Sequence, residues 1–237
     1  MAGSRKLSGL RRGLVGQAAR QLAPKVTQAA PGLTHSFVRE ALHRAIAGIG
    51  PLAPAAQAAE AQLREQRHDV DRAVRELIQN HTAYASAEGL TTNLGGLVTA
   101  AFVAPASITG LALIQCRMVA GIAHLRGYDL ADPRVRNAVL VTLLGDEGVR
   151  KLVKDKKLPA PPMAIATAPA HDPTLDRHVS SLLAGELIAR VVGKRAVTTV
   201  GKRVPLVGGA VGAVSDGWAT WRVGRYADAE LLPLARR

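Results

Sequence analysis

Residues 89–129 read GLTTNLGGLVTAAFVAPASITGLALIQCRMVAGIAHLRGYD. No side chain between Glu88 and Arg117 is charged, yet Gly95, Gly96 and Pro105 interrupt the run. It therefore reads as a short apolar helix turning into a longer one. Pro105 suits the first position of that second helix, where its missing N–H would have no partner and its fixed φ fits the turn. The helix is expected to run to Arg126 and to stop at Gly127, which accepts the left-handed conformation of a helix end. Along it Ala112, Cys116, Ala120, Ala123 and Gly127 recur at spacings of four and three, leaving a shallow groove for another backbone. Ile108, Leu111, Met118, Ile122 and Leu125 supply bulk beside that groove.

A second stretch answers it at residues 202–227, KRVPLVGGAVGAVSDGWATWRVGRYA. Pro205 opens a long helix in which Gly209, Ala213 and Gly217 recur every four residues, as do Gly208 and Gly212. Small residues in such rows let helices approach closely. Asp216 needs a partner if buried, and a Lys or Arg of the preceding helix is expected to supply it. Trp218, Trp221 and Tyr226, beside Arg222 and Arg225, are read as a cap on the core; the alternative is an anchor at a membrane interface.

The composition agrees with close helix packing. Of 237 residues 48% are hydrophobic and only 3% aromatic, so Ala, Val, Leu and Ile must fill the core. The expected fold is all-α, a compact bundle built on two Gly/Ala-lined central helices. Two parts are expected: a basic, flexible extension with one short helix at 1–55, and a helical domain at 56–237. Cys116, the single cysteine, reads as a small buried hydrophobe and fits a reducing compartment.

Formal net charge is +13 and the pI is about 10.8. No acid precedes Glu40, whereas Arg5, Lys6, Arg11, Arg12, Arg20 and Lys25 do. Lys194, Arg195, Lys202 and Arg203 form a second basic group. Such a surface attracts polyanions without choosing among lipid headgroups, nucleic acid and acidic proteins; a solubilising tail is the bland alternative. The front end resembles a transit peptide in composition, but it lacks an apolar segment of signal-peptide length before Pro24, and no secretion is expected.

Between these landmarks the pattern predicts a short helix at 34–47 and one longer helix from Ala55 to Ala87. On the longer one Leu63, Val70, Val74, Leu77, Ile78 and Tyr84 mark one face. Asp132 and Pro133 cap and open the next helix, which Gly145 interrupts before a cationic end at Arg150, Lys151, Lys154, Lys156 and Lys157. Prolines at 159, 161, 162, 169 and 173 predict an extended linker or surface loop without helix, and helix resumes near Thr174.

No catalytic constellation stands out. Gly193-Lys194 and Gly201-Lys202 lack the rest of a phosphate loop, and Gly208–Gly212 follows no strand. Ser107 and Ser215 fall inside helices rather than on a nucleophile elbow. His171, Asp172, Asp176 and His178 are close in sequence, but their spacing suits helix capping better than metal ligation. His124 reads as a hydrogen-bonded core or edge histidine. No metal or cofactor is expected. Residues 89–116 would span ~40 Å as one helix, but Pro105 and several polar residues divide them. A buried hairpin is the reading adopted, with a hairpin dipping into one leaflet as the sharper alternative.

Taken in order, Gly89 to Pro105, Ile122 to Asp129, Lys202-Arg203-Val204-Pro205, the Gly208–Ala213 run and Arg225-Tyr226-Ala227 resemble the EcsC family. The likeness covers residues 56–237, with 1–55 and the proline-rich 159–173 peculiar to this member and Asp216 standing where a neutral amide is common. It makes Pro105, Gly127, Tyr128, Pro205, Gly208, Gly209, Gly212 and Ala213 structural motif positions. It implies a helical fold and a connection to a membrane or transporter complex, and it transfers no reaction. The resulting expectation is a non-enzymatic cytoplasmic protein, peripheral at the inner face of the cell membrane. Its partner would be an anionic lipid surface or a membrane complex. Non-specific nucleic-acid binding and an enzyme with a pocket between helices are the alternatives.

Overall fold

The computed structural model describes residues 35–48, 53–94, 100–200 and 205–235. The basic residues Arg5, Lys6, Arg11, Arg12, Arg20, Lys25, Lys202 and Arg203 lie outside the described residues. Nine helices and no strand occur among those described: α1 His35–Ala47, α2 Ala55–Glu65, α3 Val70–Leu94, α4 Ala100–Leu125 and α5 Pro133–Thr142. They continue with α6 Gly145–Lys154, α7 Pro162–Ala166, α8 Pro173–Val200 and α9 Pro205–Glu230.

The all-α expectation holds, and aliphatic side chains do fill the core. Leu42, Met118, Ile122, Leu140, Leu143 and Leu183 are fully buried, each contributing about 2 kcal/mol relative to exposure. Helix α4 is central, packed by α1, α2, α3 and α9. Ala112, Cys116, Ala120 and Ala123 are buried on it, as their spacing predicted. Helix α1 shares that core through Val38, Leu42 and Ala45.

Helix α9 lies along α3 more than along α4, so the glycine row that seemed to pair the two central helices serves a third. A Cβ at Gly217 would overlap the Ser86 hydroxyl and lie 3.5 Å from the Thr82 carbonyl oxygen. One at Gly224 would lie 2.9 Å from Ile78 on α3 and 3.1 Å from Met118 on α4. Gly224, two helical turns beyond Gly217 on the same face, escaped the sequence reading. Between α4 and α9 the buried Gln115 side chain donates to Thr220 Oγ1 at 3.2 Å.

These pairings fix directions. Going from Gly217 to Gly224 moves back along α3 from Ser86 to Ile78, so α9 and α3 are antiparallel. Gln115 with Thr220 and Met118 with Gly224 make α9 and α4 parallel. The end of α3, the start of α4 and the start of α9 therefore share one pole of the bundle.

Four expectations need correction. The helix expected from Ala55 to Ala87 is two, because α2 ends in a turn with Arg67 (φ 55) and His68 (φ 64) left-handed. There the His68 N–H bonds the Leu63 carbonyl at 2.9 Å and the Arg67 N–H that of Arg64 at 3.1 Å, the pattern that glycine usually serves. Asp69 then caps α3 by accepting the Arg72 N–H at 2.9 Å. Pro105 lies in the second turn of α4 and not at its start, since α4 begins at Ala100; there it removes one helical hydrogen bond. The proline-rich segment, expected to hold no helix, contains a short one. Pro162 sits at the first position of α7, where a proline costs nothing, and Pro162, Ile165 and Ala166 are buried, with α7 packed on α5. Tyr84, expected on the apolar face, is 65% exposed.

Candidate functional site

Of the predicted surface cations, Lys194 and Arg195 fall on α8 with their side chains outside the described residues. The same holds on α4 and α9 for Pro105, Pro205, Gly208, Gly209, Gly212 and Ala213. Gly127 and Tyr128 are fully described and form a corner. Gly127 is left-handed (φ 90), its N–H bonds the His124 carbonyl at 2.9 Å, and the Tyr128 N–H reaches back to Ala123 at 3.0 Å. The last carbonyls of α4 are thereby satisfied, as the glycine predicted.

The corner is closed by the segment after α9. The buried Tyr128 hydroxyl donates to the Leu232 carbonyl at 2.9 Å, and the Leu234 N–H donates to the Arg126 carbonyl at 2.9 Å. The Arg126 guanidinium, 11% exposed, bridges Asp71 at 2.9 Å and Asp228 at 2.7 Å, joining α3, α4 and α9. An open depression of about 410 Å³ beside it is lined by Ala56, His124, Gly127, Tyr128, Asp129 and Leu130. His124 Nε2 lies 2.8 Å from Glu60 Oε1 on α2, so the expected hydrogen bond is present. An imidazole paired with a carboxylate can carry a proton, but the Tyr128 phenol is already donated and no serine or cysteine lines the depression. The arrangement ties helix ends together.

A second polar cluster joins α1, α5 and α8. Asp176 accepts from the buried Asn137 amide at 2.7 Å, lies 2.9 Å from His171 Nε2 and pairs with Arg39 at 3.4 Å. Burial pushes the Asp176 carboxyl up, but His171, Asn137 and the Arg39 charge together hold it below the usual range. Asp172 caps α8 by accepting the Thr174 N–H at 2.8 Å, and His178 turns to the Lys157 carbonyl instead. The four residues do not converge. No group of three or more His, Cys, Asp or Glu among the described residues is placed to hold a metal ion. Burial pushes the Cys116 thiol up to about 12, as befits a core residue rather than a nucleophile.

Of the aromatics read as a core cap, Tyr226 does pack against the core, but the two tryptophans overturn the reading. Trp218 is 59% exposed and Trp221 39% exposed. Their rings stack on each other at 4.9 Å and 19° instead of entering the bundle. Val214, 71% exposed, completes a stripe at spacings of four and three on α9. The inner face of the helix is already filled by Gly217, Thr220, Val223, Gly224 and Ala227, which leaves the rings outside. Arg222 beside them reaches Glu147 at 3.7 Å. No helix among the described residues is long and apolar enough to cross a membrane.

The all-helical bundle, the Gly-Tyr corner and the glycine-faced last helix coincide with a match to the EcsC protein family over residues 4–231. The chain belongs to the EcsC family. The match begins at residue 4 and so takes in the segment before residue 56 that the resemblance leaves out. No curated protein and no solved structure matches this EcsC-family chain.

Proposed function

We propose that this EcsC-family chain is a non-enzymatic protein that docks peripherally on the anionic face of a membrane, or on a complex within it, from the cytoplasmic side. The observation that carries the reading is the charge distribution: a net +13 with no acid before Glu40. A basic side chain held close to an anionic surface contributes on the order of 1 kcal/mol, so the front cluster from Arg5 to Lys25 would hold a peripheral protein in place. The attraction reaches ~10 Å at moderate salt and shortens as salt rises.

The test is flotation of the full-length chain with phosphatidylglycerol-containing vesicles and with phosphatidylcholine alone. The chain is expected to float with the anionic vesicles only and to be released by salt. Equal binding to both, or binding to neither, rejects the reading. Salt-sensitive retention of DNA without any lipid affinity would put nucleic acid in its place.

A further inference from the structure

We infer that the folded chain meets anionic phospholipid headgroups through the lysine turn that closes α6, with Lys151, Lys154, Lys156 and Lys157 at the contact. Arg177 on α8, next in sequence to the His178 that meets this turn, joins them. This assignment rests on the membrane-docking reading and adds which part of the folded chain makes the contact.

The turn holds its charges in solvent. Residues 154–157 are all exposed, as are Lys151 and Arg177. Backbone groups already satisfy the last carbonyls of α6: the Asp155 N–H donates to Lys151 at 2.8 Å, the Lys156 N–H to Val153 at 3.0 Å and the Lys157 N–H to Leu152 at 2.8 Å. No ammonium is needed to close the helix. Lys156 is left-handed (φ 56), at a place where glycine would be less strained. Leu158 anchors the turn in the core, and His178 Nε2 meets the Lys157 carbonyl.

Nearby acids are engaged by other groups. Arg150 holds Asp146, Arg222 holds Glu147, and Arg39 with His171 holds Asp176, while Asp172 caps α8. Among the described residues Lys151, Lys154, Lys156, Lys157 and Arg177 pair with no carboxylate. Asp155 is the one acid between Glu147 and Asp172.

The fold also brings this turn near the charges that come first in the sequence. Asp176, which Arg39 reaches from α1, and His178, which meets the lysine turn, both lie in the first turns of α8. The start of α1 and the lysine turn therefore flank one helix, roughly 10 Å across. His35 opens α1 one turn ahead of Arg39, and the acid-free stretch from Arg5 to Lys25 precedes it. A continuous layer of headgroups meets both groups of charges at once. A nucleic-acid strand would need rings on which its bases stack, and α6, the turn and α8 contain no Phe, Tyr or Trp. Charge without rings selects the lipid surface.

Flotation of the full-length chain with phosphatidylglycerol–phosphatidylcholine vesicles tests the assignment. Lys154→Gln with Lys156→Gln and Lys157→Gln is expected to lower the partition coefficient about tenfold or more, with circular dichroism unchanged. Arg64→Gln with Arg67→Gln and Arg75→Gln removes the same charge from other exposed positions and is expected to lower it by about threefold at most. In the unsubstituted chain the anionic vesicles should shield the lysines of the turn from an amine-acylating reagent, and phosphatidylcholine alone should not. Undiminished partition of the lysine variant, equal losses in the two triple variants, or flotation that leaves these lysines fully reactive would each overturn the assignment and leave the electrostatic docking standing. No flotation with anionic vesicles would overturn both, and shielding of the turn by duplex DNA in its place would give it to nucleic acid.

Discussion

The end of α4 and the outer face of α9 are finished in opposite ways. At the pole where α4 ends, every element is tied down: Gly127 closes the helix, Arg126 bridges Asp71 and Asp228, and Leu232 and Leu234 bond back to Tyr128 and Arg126. Halfway along α9, Val214, Trp218 and Trp221 stand in water on the outer face of the helix. Apolar rings gain nothing from solvent, and small glycines occupy the inner positions that rings could have filled. The contrast separates what the chain spends on holding its fold from what it leaves available for contact.

Substitutions can break that contrast or sharpen it. The largest effect is expected where three helices meet: Gly224→Val would drive methyls into Ile78 and Met118. Overpacking of this kind costs about 3 kcal/mol, a fall of roughly 6–12 °C in thermal midpoint. Arg126→Met keeps the apolar stem and removes both carboxylate contacts. Because Asp71 is 65% exposed and Asp228 only 21%, most of the loss comes from Asp228. A destabilisation of about 2 kcal/mol by urea unfolding is expected. Against these, Trp218→Ser with Trp221→Ser should cost about 1 kcal/mol, the loss of one stacked ring pair; a loss comparable to Arg126→Met would mean that the outer face of α9 also holds the fold.

The smallest effect concerns His81, next to Tyr84. Burial, with a lesser contribution from the Arg117 charge, lowers its pKa below 6.5 despite the bond to the Leu77 carbonyl. As pH falls through 6.5 the unfolded chain takes up a proton before the folded one, so stability declines from there down to the folded pKa. His81→Gln should flatten the dependence of melting temperature on pH in that window.

Much of this was readable in advance where a residue type has one physical use. Gly127 had to end α4, Asp132 and Pro133 had to start α5, and the alanines at 112, 120 and 123 had to face inward. Reading failed where an unspecialised residue took a specialised conformation. Arg67 and Lys156 are left-handed at helix ends, positions that a search for glycine passes over, and so the break between α2 and α3 was missed, although Asp69 ahead of Val70 was an available cap signal. Proline density misled over 159–173 because one proline at the first helical position is neutral. The tryptophans were misplaced by the general habit of aromatics to be buried; only the glycine at 224, two turns past Gly217, could have shown which side of α9 was already taken.

The clasp at the tied pole also bears on how the chain reaches its native state. Arg126, already paired with Asp71 upstream, and Tyr128 find further partners 102 and 104 residues along the sequence, so the clasp is complete only after five more helices have been made. Contacts of such separation slow folding relative to local helix formation. Docking of the segment after α9 is therefore the contact that weighs most on the folding rate of this corner.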